Sequence, residues 1–131
     1  MKLSRRHRLW FYGTLIALGI SGLWWWIRHH VWLLKLHGAA AIICLIVLGT
    51  LIPTHIKRGW AGTRNLWSGN VLIGAMIGLI VTGYALYYAG GEAVRTLASW
   101  LHLVIGLASP LIIGWHALDR RKRKLSRARA A

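Results

Sequence analysis

Thiols are nearly missing from this 131-residue chain, whose one cysteine is Cys44. A lone cysteine cannot close an internal disulfide, and without a Cys-x-x-Cys-His there is no covalent cofactor attachment through that motif. Charge is missing from long stretches: residues 9–27, 67–89 and 97–118 carry none, and residues 31–56 carry only Lys35. Each stretch is long enough to cross roughly 30 Å of hydrocarbon, allowing for tilt. What remains is two short tails and three short connections, which leaves no room for a soluble catalytic domain. The expectation is therefore an all-α membrane protein, a four-transmembrane-helix up-and-down bundle forming a single membrane domain over residues 1–131, with a basic tail at 119–131.

Acidic side chains are also scarce, two against 17 lysines and arginines, for a net charge of +15. In a soluble protein that balance would suggest nucleic acid, but here the position of the charges carries more information than their sum. Lys2, Arg5, Arg6 and Arg8 precede the first stretch; Lys57, Arg58 and Arg64 separate the second from the third; seven more run from Arg120 to Arg129. Only Arg28, Lys35 and Arg95 fall on the other side, with Glu92 opposing them. The positive-inside rule then puts both termini in the cytoplasm of a bacterial-type inner (plasma) membrane, with the basic tails as topology determinants that touch anionic lipid rather than nucleic acid. The first stretch follows basic residues as a signal peptide would, but it flows into the second without an obvious cleavage site and reads as a mature helix.

Trp24, Trp25, Trp26 and Trp32 at one end, and Tyr84, Tyr87 and Tyr88 at the matching end of the third stretch, have the character of interfacial belts. Arg28, His29, His30 and Lys35 share that outer level. They read either as solvated interfacial groups, with Lys35 snorkelling, or as contacts to a quinone or a propionate. Gly74 and Gly78 form a Gly-x-x-x-Gly that permits close helix approach. GTLIALGISGLWWW in the first stretch is echoed by GAMIGLIVTGYALYY in the third, each preceding a histidine-bearing stretch with a proline, Pro53 or Pro110. A duplicated hairpin would produce this echo.

The histidines are the chemistry-bearing residues. His102 and His116 are fourteen apart, roughly 21 Å along a helix and nearly on one face. His37 and His55 are eighteen apart, five whole α-helical turns or roughly 27 Å. In an up-and-down bundle the second and fourth helices run in the same direction. His37 and His102 then lie at matching depth near the outer surface, and His55 and His116 near the cytoplasmic one. Facing imidazoles on parallel helices can ligate a haem iron from both sides, and buried imidazoles in a membrane mark function by default. Gly38, Ala39, Gly106 and Gly114 beside them offer clearance for a flat macrocycle.

With LHG at 36–38, PTHIKRGW at 53–60, TRNLWSG at 63–69, TGYALYY, WLHLVIG and GWH in view, the chain resembles the small four-helix membrane b-type cytochromes. These are akin to the cytochrome b subunits of bc complexes and of membrane hydrogenases and formate dehydrogenases. The resemblance covers all four stretches. It implies two non-covalent haem b groups, electron exchange with quinone, and docking onto a partner redox subunit or a further copy, with substrate chemistry elsewhere. The eighteen-residue interval departs from the usual fourteen, and the hydrogenase-type proteins suggest His7 as the alternative to His55. Two other functions compete: a haem-free membrane assembly or scaffold subunit whose histidines pack or relay protons, and a divalent-metal transporter. The second is weakened because Cys44 is the only thiolate within the apolar stretches and there is no carboxylate. For topology, a fluorescent reporter fused after Ala131 should glow and an export-dependent phosphatase there should be silent; the reverse pattern would refute cytoplasmic termini.

Overall fold

The structure, a computed structural model, describes residues 5–61 and 66–130. Lys2 and Arg64 of the basic clusters, and residues 63–65 of the TRNLWSG motif, lie outside the described residues. Four helices are long and apolar enough to cross a membrane, Arg5–Arg28, Val31–Leu51, Leu66–Tyr88 and Glu92–Asp119. The regular structure of the described residues is all helical. In hydrocarbon every backbone N–H and C=O must find a partner inside the protein, and a helix supplies those partners within a single segment.

The chain divides into two compact units, one within residues 1–61 and one within residues 62–131. In the first unit, helix α1 (Arg5–Arg28) packs along α2 (Val31–Leu51). The turn between them needs two residues. His29 adopts the left-handed region at φ 50°, and its N–H returns to the Trp25 carbonyl at 2.7 Å. His30 is extended and caps α2, its ring accepting the Trp32 N–H at 3.4 Å. Such a tight reversal makes the two helices antiparallel, so each step forward on one faces a step back on the other.

Beyond Leu51 the helix continues as a π turn over Ile52–Ile56 and then as α3 (Lys57–Ala61). Pro53 sits at the start of the π turn and has no N–H to donate. The Ile52 N–H returns to the Gly49 carbonyl, and the Lys57 N–H reaches five residues back to the Ile52 carbonyl. The reckoning of five whole α-helical turns between His37 and His55 thus holds only as far as Leu51. The wider π turn takes up chain and underwinds the last part of the interval.

In the second unit, α4 (Leu66–Tyr88) packs along α5 (Glu92–Ala130), joined through Ala89, Gly90 and Gly91. Helix α5 continues well past its apolar part, carrying the basic tail as helix rather than as loose chain. Pro110 lies inside it.

Burial is inverted relative to a soluble protein. The buried side chains are small or polar: Thr14, Ser21, Ala40, Cys44, Ser68, Thr82, Ala98 and Ser109, with Leu51 the one large exception among them. Large apolar groups lie outside, Leu111 at 77% and Trp67 at 75% exposure. Against lipid, association gains little from hiding leucine, so the seams use small residues that let backbones approach and hydroxyls that bond within the helix. Gly78 is such a contact, meeting Ile105 at 3.1 Å from where its Cβ would stand; Gly74 has open space there. An Ala98→Leu substitution should therefore destabilise the fold by about 1–3 kcal/mol through overpacking. Leu111→Ala should stay within about 0.5 kcal/mol; unfolding by denaturing detergent, followed by circular dichroism, measures both.

Candidate functional site

Three histidines are held in one and the same way. His37 on α2 turns its Nδ1 toward α1, where it meets the Ser21 hydroxyl and the Leu18 carbonyl, both at 3.1 Å. His102 on α5 turns its Nδ1 toward the Thr82 hydroxyl of α4 at 2.9 Å. His116, further along α5, meets the Ser68 hydroxyl of α4 through Nδ1 at 3.1 Å.

These partners decide where each ring carries its proton. The Leu18 carbonyl only accepts, so Nδ1 of His37 is the donor, and the Ser21 proton is directed at the Ala17 carbonyl at 2.6 Å. Thr82 donates to the Gly78 carbonyl at 2.6 Å, so it accepts from His102. Ser68 donates to Asp119 Oδ2 at 3.4 Å, so it accepts from His116. In all three the lone pair is left on Nε2, the nitrogen on the far side of the ring. A neutral imidazole with Nδ1–H bonded to an oxygen acceptor is the tautomer that ligates iron through Nε2.

Each hydroxyl is followed by a glycine, and the ring lies over it. A Cβ on Gly22 would stand 3.0 Å from His37 Cε1; on Gly83, 3.5 Å from His102 Cε1; on Gly69, 3.8 Å from His116 Cε1. The chain has three Ser/Thr-Gly dipeptides, at 21, 68 and 82, and each faces a histidine. Sequence reasoning noticed the dipeptide only as part of an internal echo, and missed Ser21, Thr82, Ser68 and Asp119 as histidine partners. The signal available was the interval: Ser68 and Thr82 are fourteen apart on α4, as His102 and His116 are on α5. Two antiparallel helices that share one interval bring both pairs into register together.

The first unit repeats this pattern at one level and changes it at the next. Fourteen residues beyond His37 stands Leu51, which is buried, and fourteen before Ser21 stands His7, which is exposed. Where the second unit has Ser68 opposite His116, the first has His7 on α1 and Leu51 on α2. His55 lies in the π turn and is half-buried. The midpoint between levels is filled by Thr14 and Cys44, joined by a side-chain hydrogen bond.

The outer-turn residues have structural partners. The His29 ring packs edge-on against Trp25 at 5.4 Å, His30 caps α2, and Lys35 Nζ lies 4.5 Å over the Trp32 ring. Arg28 closes α1. A Cβ on Gly106 would stand 3.9 Å from Leu79 and one on Gly114 would meet nothing, while the glycines that meet the histidine rings are Gly22, Gly69 and Gly83 on the opposite helices. Among the described residues, no three His, Cys, Asp or Glu side chains gather to hold a metal ion. Comparison with protein-family models, curated proteins and solved structures gave no match.

At Gly22 an alanine Cβ would press on the His37 ring, while at Gly13 it would meet nothing. Gly22→Ala should lower stability and shift the His37 resonances. Gly13→Ala should be neutral or stabilising by up to about 1 kcal/mol; equal behaviour of the two would contradict the close approach.

Proposed function

We propose that the chain is a membrane di-haem b-type cytochrome that moves electrons between quinone and a partner redox protein, folded as an up-and-down four-helix bundle with cytoplasmic termini. The observation that carries this reading is the Nδ1 lock repeated at His37, His102 and His116. Packing alone asks only that a buried imidazole be satisfied. Here the same nitrogen is satisfied each time, by a hydroxyl followed by a glycine that lets the Cε1 edge of the ring close on the neighbouring helix. Those residues would hold haem iron through Nε2. When bound, haem iron supplies one-electron oxidation and reduction, which no side chain in this sequence offers at membrane depth.

The remaining work falls to the chain itself. Ser21, Thr82 and Ser68 orient the rings and fix their tautomer. Gly22, Gly83 and Gly69 set the distance of each ring from the helix behind it. The outer end, with Arg28, His29, His30 and Lys35, supplies the cations and imidazoles suited to quinone and propionate contacts. For the fourth ligand we take His7 rather than His55. His7 keeps the fourteen-residue interval on a continuous α-helix, whereas His55 sits on a turn that breaks the α-helical phase. The four ligands of this reading are therefore His7 and His37 in the first unit and His102 and His116 in the second.

Purified protein should show a Soret band and two haems per chain by pyridine haemochrome. His102→Ala should remove one haem, and His7→Ala, not His55→Ala, should remove the one that depends on His116. A colourless protein, still functional after His37, His102 and His116 are replaced together, would instead establish a haem-free assembly subunit.

A further inference from the structure

The second unit treats its two histidines differently. Thr82, behind His102, spends its proton on backbone carbonyls of its own helix, Gly78 at 2.6 Å and Leu79 at 3.3 Å. Ser68, behind His116, directs its proton to a carboxylate, Asp119 Oδ2, at 3.4 Å. Ser68 is the most thoroughly buried side chain described, at 1% exposure, so the link is sheltered from water. Asp119 is one of only two acidic residues in the chain, and it stands less than one turn after His116 on the same helix. The run from Asp119 through Ser68 to His116 is thus a carboxylate–hydroxyl–imidazole chain, whereas the hydroxyl behind His102 gives its proton to backbone carbonyls.

We propose that Asp119, acting through Ser68, is a positioning residue that lends anionic character to the His116 imidazole and lowers the reduction potential of the iron held at His116 Nε2, relative to the same site without the carboxylate. The inference rests on the haem reading above. The physical cause is that a hydroxyl already polarised by a carboxylate is a stronger acceptor for Nδ1–H. The ring then becomes a more basic ligand and favours the more positive oxidation state of the metal. Burial of Ser68 strengthens the relay, because the hydroxyl that joins carboxylate to imidazole is kept from water. The variants compared below keep every other charge of the chain, so the carboxylate's effect is isolated as a difference.

The test uses the full chain loaded with haem and titrated optically against potential, with nitrogen-15 NMR of the haem-free chain beside it. Asp119→Asn should raise the midpoint of one haem only, displacing its reduction equilibrium about tenfold, or about 59 mV for a one-electron couple. Asp119→Glu should restore the wild-type value. In the haem-free chain, Ser68→Ala should turn His116 from a single Nδ1–H tautomer into a mixture, leaving His102 unchanged. Midpoints that do not move in Asp119→Asn, or that rise equally in Asp119→Glu, would overturn the proposal. Should Asp119→Asn shed its haem, the tautomer decides: a His116 that stays a single tautomer in Ser68→Ala overturns it. A wild-type chain that binds no haem would overturn the cytochrome reading instead, a different result from loaded protein with unmoved midpoints.

Discussion

The constraint on which the structure depends is that an imidazole inside a membrane must have its N–H satisfied by the protein, because no water is there to do it. Each of the imidazoles of His37, His102 and His116 turns its Nδ1 to the adjacent helix of its hairpin. There it finds Ser21, Thr82 or Ser68. Everything near each ring follows from that need. The hydroxyl must be close, so the helices approach; the approach needs a glycine, so Gly22, Gly83 and Gly69 follow; the hydroxyl must accept, so its own proton goes to a carbonyl or to Asp119. Imidazole satisfaction and helix packing are here one set of contacts.

Polar burial and apolar exposure then fall into place. The seams hold serines, threonines, alanines and Cys44, while leucines and tryptophans cover the outside. Large apolar side chains facing hydrocarbon have no need to be hidden. What specificity the hairpins have comes from where the hydroxyls stand.

The helices and their membrane-spanning character were legible in sequence, because uncharged stretches of that length admit one backbone solution in hydrocarbon. Observed ends differ from expected ones mainly where charge was taken as a stop: α1 already begins at Arg5, and α5 continues through the basic tail to Ala130. Arginine and lysine are good helix formers, and a run of them ends a membrane span without ending a helix. The candidate histidines were legible as well, but their partners were not. Hydrophobic periodicity records which face is apolar, and serine or threonine on a seam looks like any small residue. The π turn at Ile52–Ile56 escaped for a related reason. Pro53 announced a distortion, but whether a helix meets proline by kinking or by widening depends on the bonds its neighbours can remake.

The shared fourteen-residue interval on α4 and α5 also bears on how that hairpin finds its alignment. Transmembrane helices can slide past one another at little cost when their surfaces are uniformly apolar. Here a slip by a single turn would strand two imidazoles and two hydroxyls at once, since Ser68 and Thr82 both lose their histidines in the same displacement. The two contacts work as a vernier. Each alone tolerates some error, but both close together at one setting only, so the polar groups that satisfy the imidazoles also proofread the hairpin's assembly.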